Sequence, residues 1–366
     1  MAATLQQIAD VAGVTPMTVS RVLRGVGRIS PETRHRIRMV AEDLGYQRSR
    51  GVVIPPPIRH GKADHALKIL APTVGKKMTD HGGAWYLHRM LDGLAQRLEL
   101  SNGSVSIEHF PTLQDLIETW KKNKYHGVVL RQPLPCQWIE QLKAIGPVVY
   151  AVEFDYQYDV DCLYSNEQRT TAMILQRLTD LGHQQIGFLG VMDFYAPHQA
   201  IFEELDQNNL IDQQGHGVHG MRHASWAVFA QMQPSNKPWP IALPTRDWRS
   251  QSLDEVVSQG LEKLLHRKHP PTAIVCSCDP VALTVLQQLS ERGIHVPDQM
   301  SLVSYGGSPQ VQAVSPAITS ASMPMEIIGR VIPELIERRL ADPDAISVSM
   351  QFQTSWQEGQ SISRRR

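Results

Sequence analysis

The 366-residue sequence predicts a small N-terminal all-α headpiece of helix-turn-helix type, followed by a larger two-lobed α/β body. Three observations predict this. Residues 4–23, TLQQIADVAGVTPMTVSRVL, carry the periodicity and caps of two short helices joined by a tight turn. Positive charge is concentrated in the first fifty residues of a chain whose overall balance is neutral. From residue 65 onward, short apolar runs alternate with helical patterns, as parallel α/β units require.

The headpiece is justified residue by residue. Leu5, Ile8, Ala9 and Ala12 recur at helical spacing and form one apolar face. Ala9 is small where a second helix must cross. Gly13 sits at the turn, where positive φ is favoured, and Val14 tucks back beneath it. Thr15 is a natural N-cap, and Pro16 suits the first turn of the next helix. That second helix turns Val19, Val22 and Leu23 inward and leaves Met17, Thr18, Ser20 and Arg21 outward. Ser30-Pro31-Glu32-Thr33 then opens a third helix with apolar stripe Ile37, Val40, Ala41 and Leu44, which Gly45 stops. Residues 1–50 hold eight arginines against four acidic residues, whereas the whole chain balances 36 basic with 36 acidic side chains. The local excess suits a phosphate backbone.

The body divides naturally into strand and helix candidates. In a first lobe, about 65–160, strands are expected at 66–72, 104–110, 127–132 and 147–154, with helices at 85–100, 112–124 and 136–144. In a second lobe, about 161–320, a helix ending at Leu181 precedes a strand at 185–190, and further strands fall at 273–278 and 301–307. Helices are expected at 250–266, 279–292 and 324–340, and a last strand at 347–353 forms part of a C-terminal crossover. Residues 51–64 read as a linker, stiffened by Pro55-Pro56-Pro57.

The run T-L-x-x-I-A-x-x-A-G-V-T-x-x-T-V-S-R-V-L, with the following I-S-P-E-T-R and L-G-Y segments, resembles the headpiece of the LacI/GalR family of bacterial transcription regulators. The resemblance implies a second helix in the major groove of double-stranded operator DNA, with Pro16, Met17 and Arg21 at base-reading positions. Thr15, Thr18, Ser20, Ser30 and Thr33 match positions that hold the phosphate backbone, and Arg24 joins the DNA-contacting set through the basic excess. The family normally continues into a short helix whose leucine wedges into the minor groove. Here the triple proline forbids a helix at that point, which leaves Val52, Val53 or Ile54 as the only wedge candidates.

Further along, Leu181-Gly182-His183, Cys276-Ser277-Cys278-Asp279 and Gly293-Ile294-His295-Val296-Pro297-Asp298 resemble the same family's effector domain. That implies two Rossmann-like lobes of the periplasmic-binding-protein kind, a homodimer, and a small-molecule effector, a sugar or sugar derivative, in the cleft at the carboxyl ends of the strands. In sugar-responsive relatives, an arginine lies in the helix after the L-G-H strand and an aspartate in the corner after a later strand. The sequence points to His198 and Gly306 for these two places, with Tyr305 beside the second. Trp248 matches an aromatic over which a sugar face stacks. Asp279 is a ligand contact or the cap of its own helix, and Glu153 a ligand contact or an exposed crossover charge.

Other readings are weaker. GHGVHG (215–220) spells a dinucleotide-loop motif with no strand before it. His216, His219 and His223 have spacings that could gather imidazoles round zinc, but the intervening glycines argue against a helix there and no nearby carboxylate or cysteine completes a set. Cys136, Cys162, Cys276 and Cys278 show no disulfide framework, and no apolar leader or membrane span is evident, so a cytoplasmic protein is expected. No nucleophile–base pair, metal set or phosphate loop indicates an enzyme or a cofactor. The function expected is a sequence-specific transcriptional regulator, a repressor under metabolite control. The alternatives are a constitutive DNA-binding regulator with a degenerate cleft and a periplasmic-type solute binder.

Overall fold

The computed structural model describes residues 5–23, 30, 33, 36–37, 39–40, 66–74, 84–131, 134–151, 159–191, 217–232, 239–242 and 251–365. It falls into two compact units, Met1–Arg59 and His60–Arg366. In the first unit, α1 (Leu5–Ala12) and α2 (Pro16–Leu23) pack over a small core of Ile8, Ala9, Ala12, Val19, Val22 and Ile37, with Val14 and Val40 against it. The proposed linker and the wedge candidates lie outside the described residues.

The second unit carries two sheets. The first lobe contributes β1 (Lys68–Val74), α3 (Ala84–Glu99), β2 (Ser104–Phe110), α4 (Leu113–Asn123), β3 (Gly127–Leu130), α5 (Cys136–Lys143), β4 (Val148–Ala151) and β5 (Asp161–Ser165). The second contributes α6 (Glu167–Asp180), β6 (Ile186–Leu189), α7 (Gly217–Gln231), β7 (Ile241–Ala242), α8 (Leu253–Leu265), β8 (Ala273–Cys276), α9 (Asp279–Glu291), β9 (Ser301–Gly306), α10 (Pro309–Ala313) and β10 (Thr319–Ser322). The chain then returns through α11 (Met325–Ala341) and β11 (Ser349–Phe352) to the first lobe and ends with β12 (Ser355–Gln357) in the second.

Strand order is β11-β5-β4-β3-β1-β2 in the first sheet and β12-β10-β9-β8-β6-β7 in the second. All pairings are parallel except that of β12 with β10. β3, β4, β6 and β8 are buried at every residue, because helices cover both faces of a parallel sheet and leave no position for a polar alternation.

Two expectations are corrected here. The segment 161–165, assigned by sequence to the second lobe, is β5 of the first sheet, and β12 extends the second lobe past residue 320. The reason lies in Asp161: its fully buried carboxylate accepts from Arg339 Nε at 3.0 Å, from Arg338 Nη1 at 3.3 Å and from the Val348 amide at 2.8 Å. This ties the start of β5 to α11 and β11, both of which belong to the first lobe. The chain therefore crosses between lobes near 165–167, 322–325 and 352–355. Second, the glycines near His219 do not prevent a helix, since α7 begins at Gly217. Tertiary burial supplies what the propensity lacks. Trp226, fully buried on α7, stacks on Phe188 of β6 at 5.3 Å and lies 5.7 Å from Trp239.

Within the first lobe, α3 and α11 cross closely through Gly93 and Gly329. A Cβ on either glycine would collide with the backbone of the other helix, at Glu326 and Met90 respectively.

Candidate DNA interface and effector cleft

The headpiece geometry follows from its caps. Gly13 adopts φ +64°, which lets the Val14 amide close back on the Ala9 carbonyl at 3.0 Å. The Thr15 hydroxyl then accepts from the Thr18 amide at 3.2 Å, and the two hydroxyls lie 2.9 Å apart. Thus α2 starts with capped amides and with Thr15 and Met17 exposed; Met17 is 62% accessible. Pro16 and Thr18 are partly exposed. The same device recurs at Ser30, whose hydroxyl accepts from the Thr33 amide at 3.2 Å and donates to the Thr33 hydroxyl at 2.8 Å. Ser20 and Arg21 lie on α2, but their side chains are outside what the structure describes, and Arg24 lies outside the described residues.

In the larger unit, the carboxyl ends of both sheets meet beside the crossovers, where Arg222 of α7 is the organising side chain. It is 3% exposed. Its Nε donates to Glu167 Oε2 at 3.0 Å, its Nη2 to Glu167 Oε1 at 3.3 Å, and its Nη1 to the Ser277 carbonyl at 2.7 Å. Nη2 also lies 3.0 Å from Met323 Sδ, and the guanidinium carbon stands 4.9 Å from the Tyr305 ring centre. Burial alone would lower the Arg222 pKa, but the Glu167 carboxylate overcomes it and raises the value above the ordinary one. Glu167 also accepts from the Ser165 hydroxyl, at the end of β5. One arginine therefore links the first crossover, the second crossover and the end of β8.

Asp279 opens α9 and is 3% exposed. One carboxylate oxygen accepts from the Ser304 hydroxyl and the other from the Ser308 amide at 2.7 Å, so both oxygens are engaged within the protein. Burial pushes its pKa up, against the pull of those donors. Gly306 has φ +138°, and a Cβ there would fall 2.5 Å from an Asp279 carboxylate oxygen. No side chain fits at Gly306 because the Asp279 carboxylate already fills that space. Tyr305 is 1% exposed, and its hydroxyl lies 2.6 Å from that of Thr171.

The structure thus gathers Asp279, Tyr305 and Gly306 at one corner. Glu153, His198 and Trp248 lie outside the described residues. An arginine does follow β6 on the described helix α7, as Arg222, whereas the sequence pointed to His198 for that place. Its partner Glu167 is likewise unanticipated. A usable signal exists: Arg222 is followed four residues later by Trp226 within an apolar run, as on a helix that faces a core. Among the described residues, no group of histidines, cysteines and carboxylates could hold a metal ion. His223 is partly buried on α7, while His216 and the His219 side chain are outside what the structure describes.

A headpiece of this kind ahead of a bilobed parallel α/β unit defines a DNA-binding protein with a periplasmic-binding-protein-like domain. That domain's family model matches residues 175–362, more than half of the chain, and the model described as "Bacterial regulatory proteins, lacI family" matches residues 4–49. The chain belongs to the lacI family of bacterial regulatory proteins. It is 26% identical over 348 residues to the HTH-type transcriptional repressor CytR of Escherichia coli (strain K12), covering 90% of this chain and 87% of CytR. The lac repressor dimer bound to operator and the anti-inducer ONPF superposes with a TM-score of 0.60 at 19% identity, over 99% of this chain and 100% of that one. A CelR–cellobiose complex superposes with a TM-score of 0.58 at 18% identity, over 98% and 99% of the two chains.

Proposed function

We propose that this protein represses transcription as a homodimer on double-stranded operator DNA and is released or retained by a small metabolite bound between its lobes. The observation that carries this reading is the capped helix-turn-helix of the lacI type, placed ahead of a two-lobed α/β unit. Capped amides and hydroxyls at a helix start suit phosphate, and an exposed recognition helix suits the major groove. Thr15, Thr18, Ser20, Ser30, Thr33 and Arg24 hold the backbone, while Pro16, Met17 and Arg21 read bases. The headpiece is residues 1–50, the linker 51–64 and the effector and dimerisation domain 65–366. The protein catalyses no reaction and works in the cytoplasm. No helix of the described residues is long and apolar enough to cross a membrane.

The effector contacts are Glu153, His198, Trp248, Asp279, Tyr305 and Gly306, with Arg222 added by its place beside Tyr305. The operator-bound lac repressor dimer and the cellobiose-bound CelR support a DNA partner, a dimer and a sugar-sized ligand. Ligand binding and DNA binding are then reciprocally coupled. Selection of duplexes from a random pool tests the reading. Arg21→Ala is expected to cost about 1–3 kcal/mol at one base position and relax specificity there; an unchanged base preference contradicts the assignment.

A second reading, a constitutive regulator without an effector, is favoured by one observation: Asp279 and Arg222 both already hold internal partners. A metabolite screen by thermal shift separates the two, because only a true effector raises the melting temperature by mass action.

A further inference from the structure

Arg131 follows β3, at the carboxyl edge of the first sheet. In the order β2-β1-β3-β4, β1 and β3 run parallel side by side while their following connections lead to opposite edges, so Arg131 stands at the topological switch point where α/β sheets hold ligands. Its Nη2 reaches the Pro72 carbonyl on β1 at 3.5 Å, a weak contact. Its Nε is shut away from water and has no hydrogen-bond partner among the described residues. The other buried or partly buried arginines among the described residues, Arg97, Arg222, Arg330, Arg338 and Arg339, each approach a carboxylate to within 3.9 Å. Arg131 approaches none among the described residues. Burial lowers its pKa, and Tyr86 pulls the other way.

A desolvated guanidinium without a counter-charge is costly, and a bound anion would relieve that cost. We infer that the effector carries an anionic group, a carboxylate or phosphate on a small polar metabolite, which docks on the Arg131 guanidinium at the β1/β3 switch point. The inference rests on the proposed effector cleft and narrows its ligand class. The guanidinium fork matches either oxyanion with two parallel hydrogen bonds, which a neutral sugar hydroxyl cannot return. The lobe-2 wall cannot serve as well, because Arg222 is already neutralised by Glu167 and Asp279 is itself acidic.

The test compares full-length wild type, Arg131→Met and Arg131→Lys. Without ligand, Arg131→Met is expected to melt above wild type, because it removes an uncompensated charge and keeps the volume. A merely structural arginine gives the opposite sign. Wild type is then titrated with gluconate against glucose, glucose 6-phosphate against glucose, and ribose 5-phosphate against ribose, with inorganic phosphate alongside. An acid or phosphate is expected to bind at least roughly tenfold more tightly than its neutral parent, with that margin lost in Arg131→Met and reduced in Arg131→Lys. A lower melting temperature for ligand-free Arg131→Met, equal binding of neutral parents, or silence of every anionic probe overturns the inference. A neutral metabolite that loosens DNA equally from wild type and Arg131→Met leaves the regulator standing while the anionic effector falls.

Discussion

Replacing Glu167 with Gln leaves the Arg222 guanidinium buried without its carboxylate, which is expected to cost about 3–5 kcal/mol of stability in urea unfolding. The double replacement Glu167→Met with Arg222→Met removes both charges and is expected to recover most of that loss. An equal loss in the two variants would show that the pair's partners at Ser277 and Ser165, rather than its charges, hold the lobes together. His183 gives the pH dependence. Its Nδ1 lies 2.8 Å from the Thr272 hydroxyl and its Nε2 3.1 Å from the Ser363 carbonyl, and burial lowers its pKa from the ordinary 6.5. The unfolded chain thus takes up this proton first as pH falls, so stability is full above 6.5 and declines below it towards the depressed folded value. A melting series from pH 7.5 to 5.5 should fall less steeply in His183→Gln. At this scale the sequence is legible where local chemistry decides: the Thr15 and Ser30 caps form as their residue types require. Partnerships across the chain are not legible, since Glu167 and Arg222 are separated by 55 positions.

Elements with a regular period are where sequence and structure agree most closely. The expected helices at 112–124 and 136–144 appear as Leu113–Asn123 and Cys136–Lys143, and the strand at 104–110 spans those same residues. Helix α4 owes its sharp start to a capping box between Thr112 and Asp115. Less legible are elements that exist through neighbours. β10 (TSAS) and β12 (SWQ) are too short to announce themselves; β10 forms on the edge of β9, and β12 on the edge of β10. α7 has a start rich in glycine and histidine that disguises it, and its order comes from Trp226 in the core. The crossing of α3 with α11 gives a sharp expectation. Gly329→Ala drives a methyl into the Met90 backbone and should destabilise by about 1–3 kcal/mol, while Gly293→Ala, with open space but φ +70°, probes backbone strain alone. Chemical denaturation of the two variants separates overpacking from strain.

For the whole molecule, the two-unit plan was visible in the position of charge and in the change from helical to strand-and-helix patterning near residue 65. The lobe boundary was not visible, because three crossings place first-lobe and second-lobe segments in alternation at the C-terminal end. β5 belongs to the first lobe through its pairing with β4 and β11, which the ion pairs of Asp161 with Arg338 and Arg339 reinforce. Arg222 touches two of those crossings, so under the proposed function a ligand that changes its partners is expected to change how the lobes meet. Repression as proposed requires that the headpiece prefer one duplex sequence over others. The most direct measurement is fluorescence-anisotropy competition at moderate ionic strength between a duplex enriched from a random pool and random competitor. A sequence-specific headpiece should show a preference of roughly a thousandfold or more; equal displacement by random duplex would contradict it.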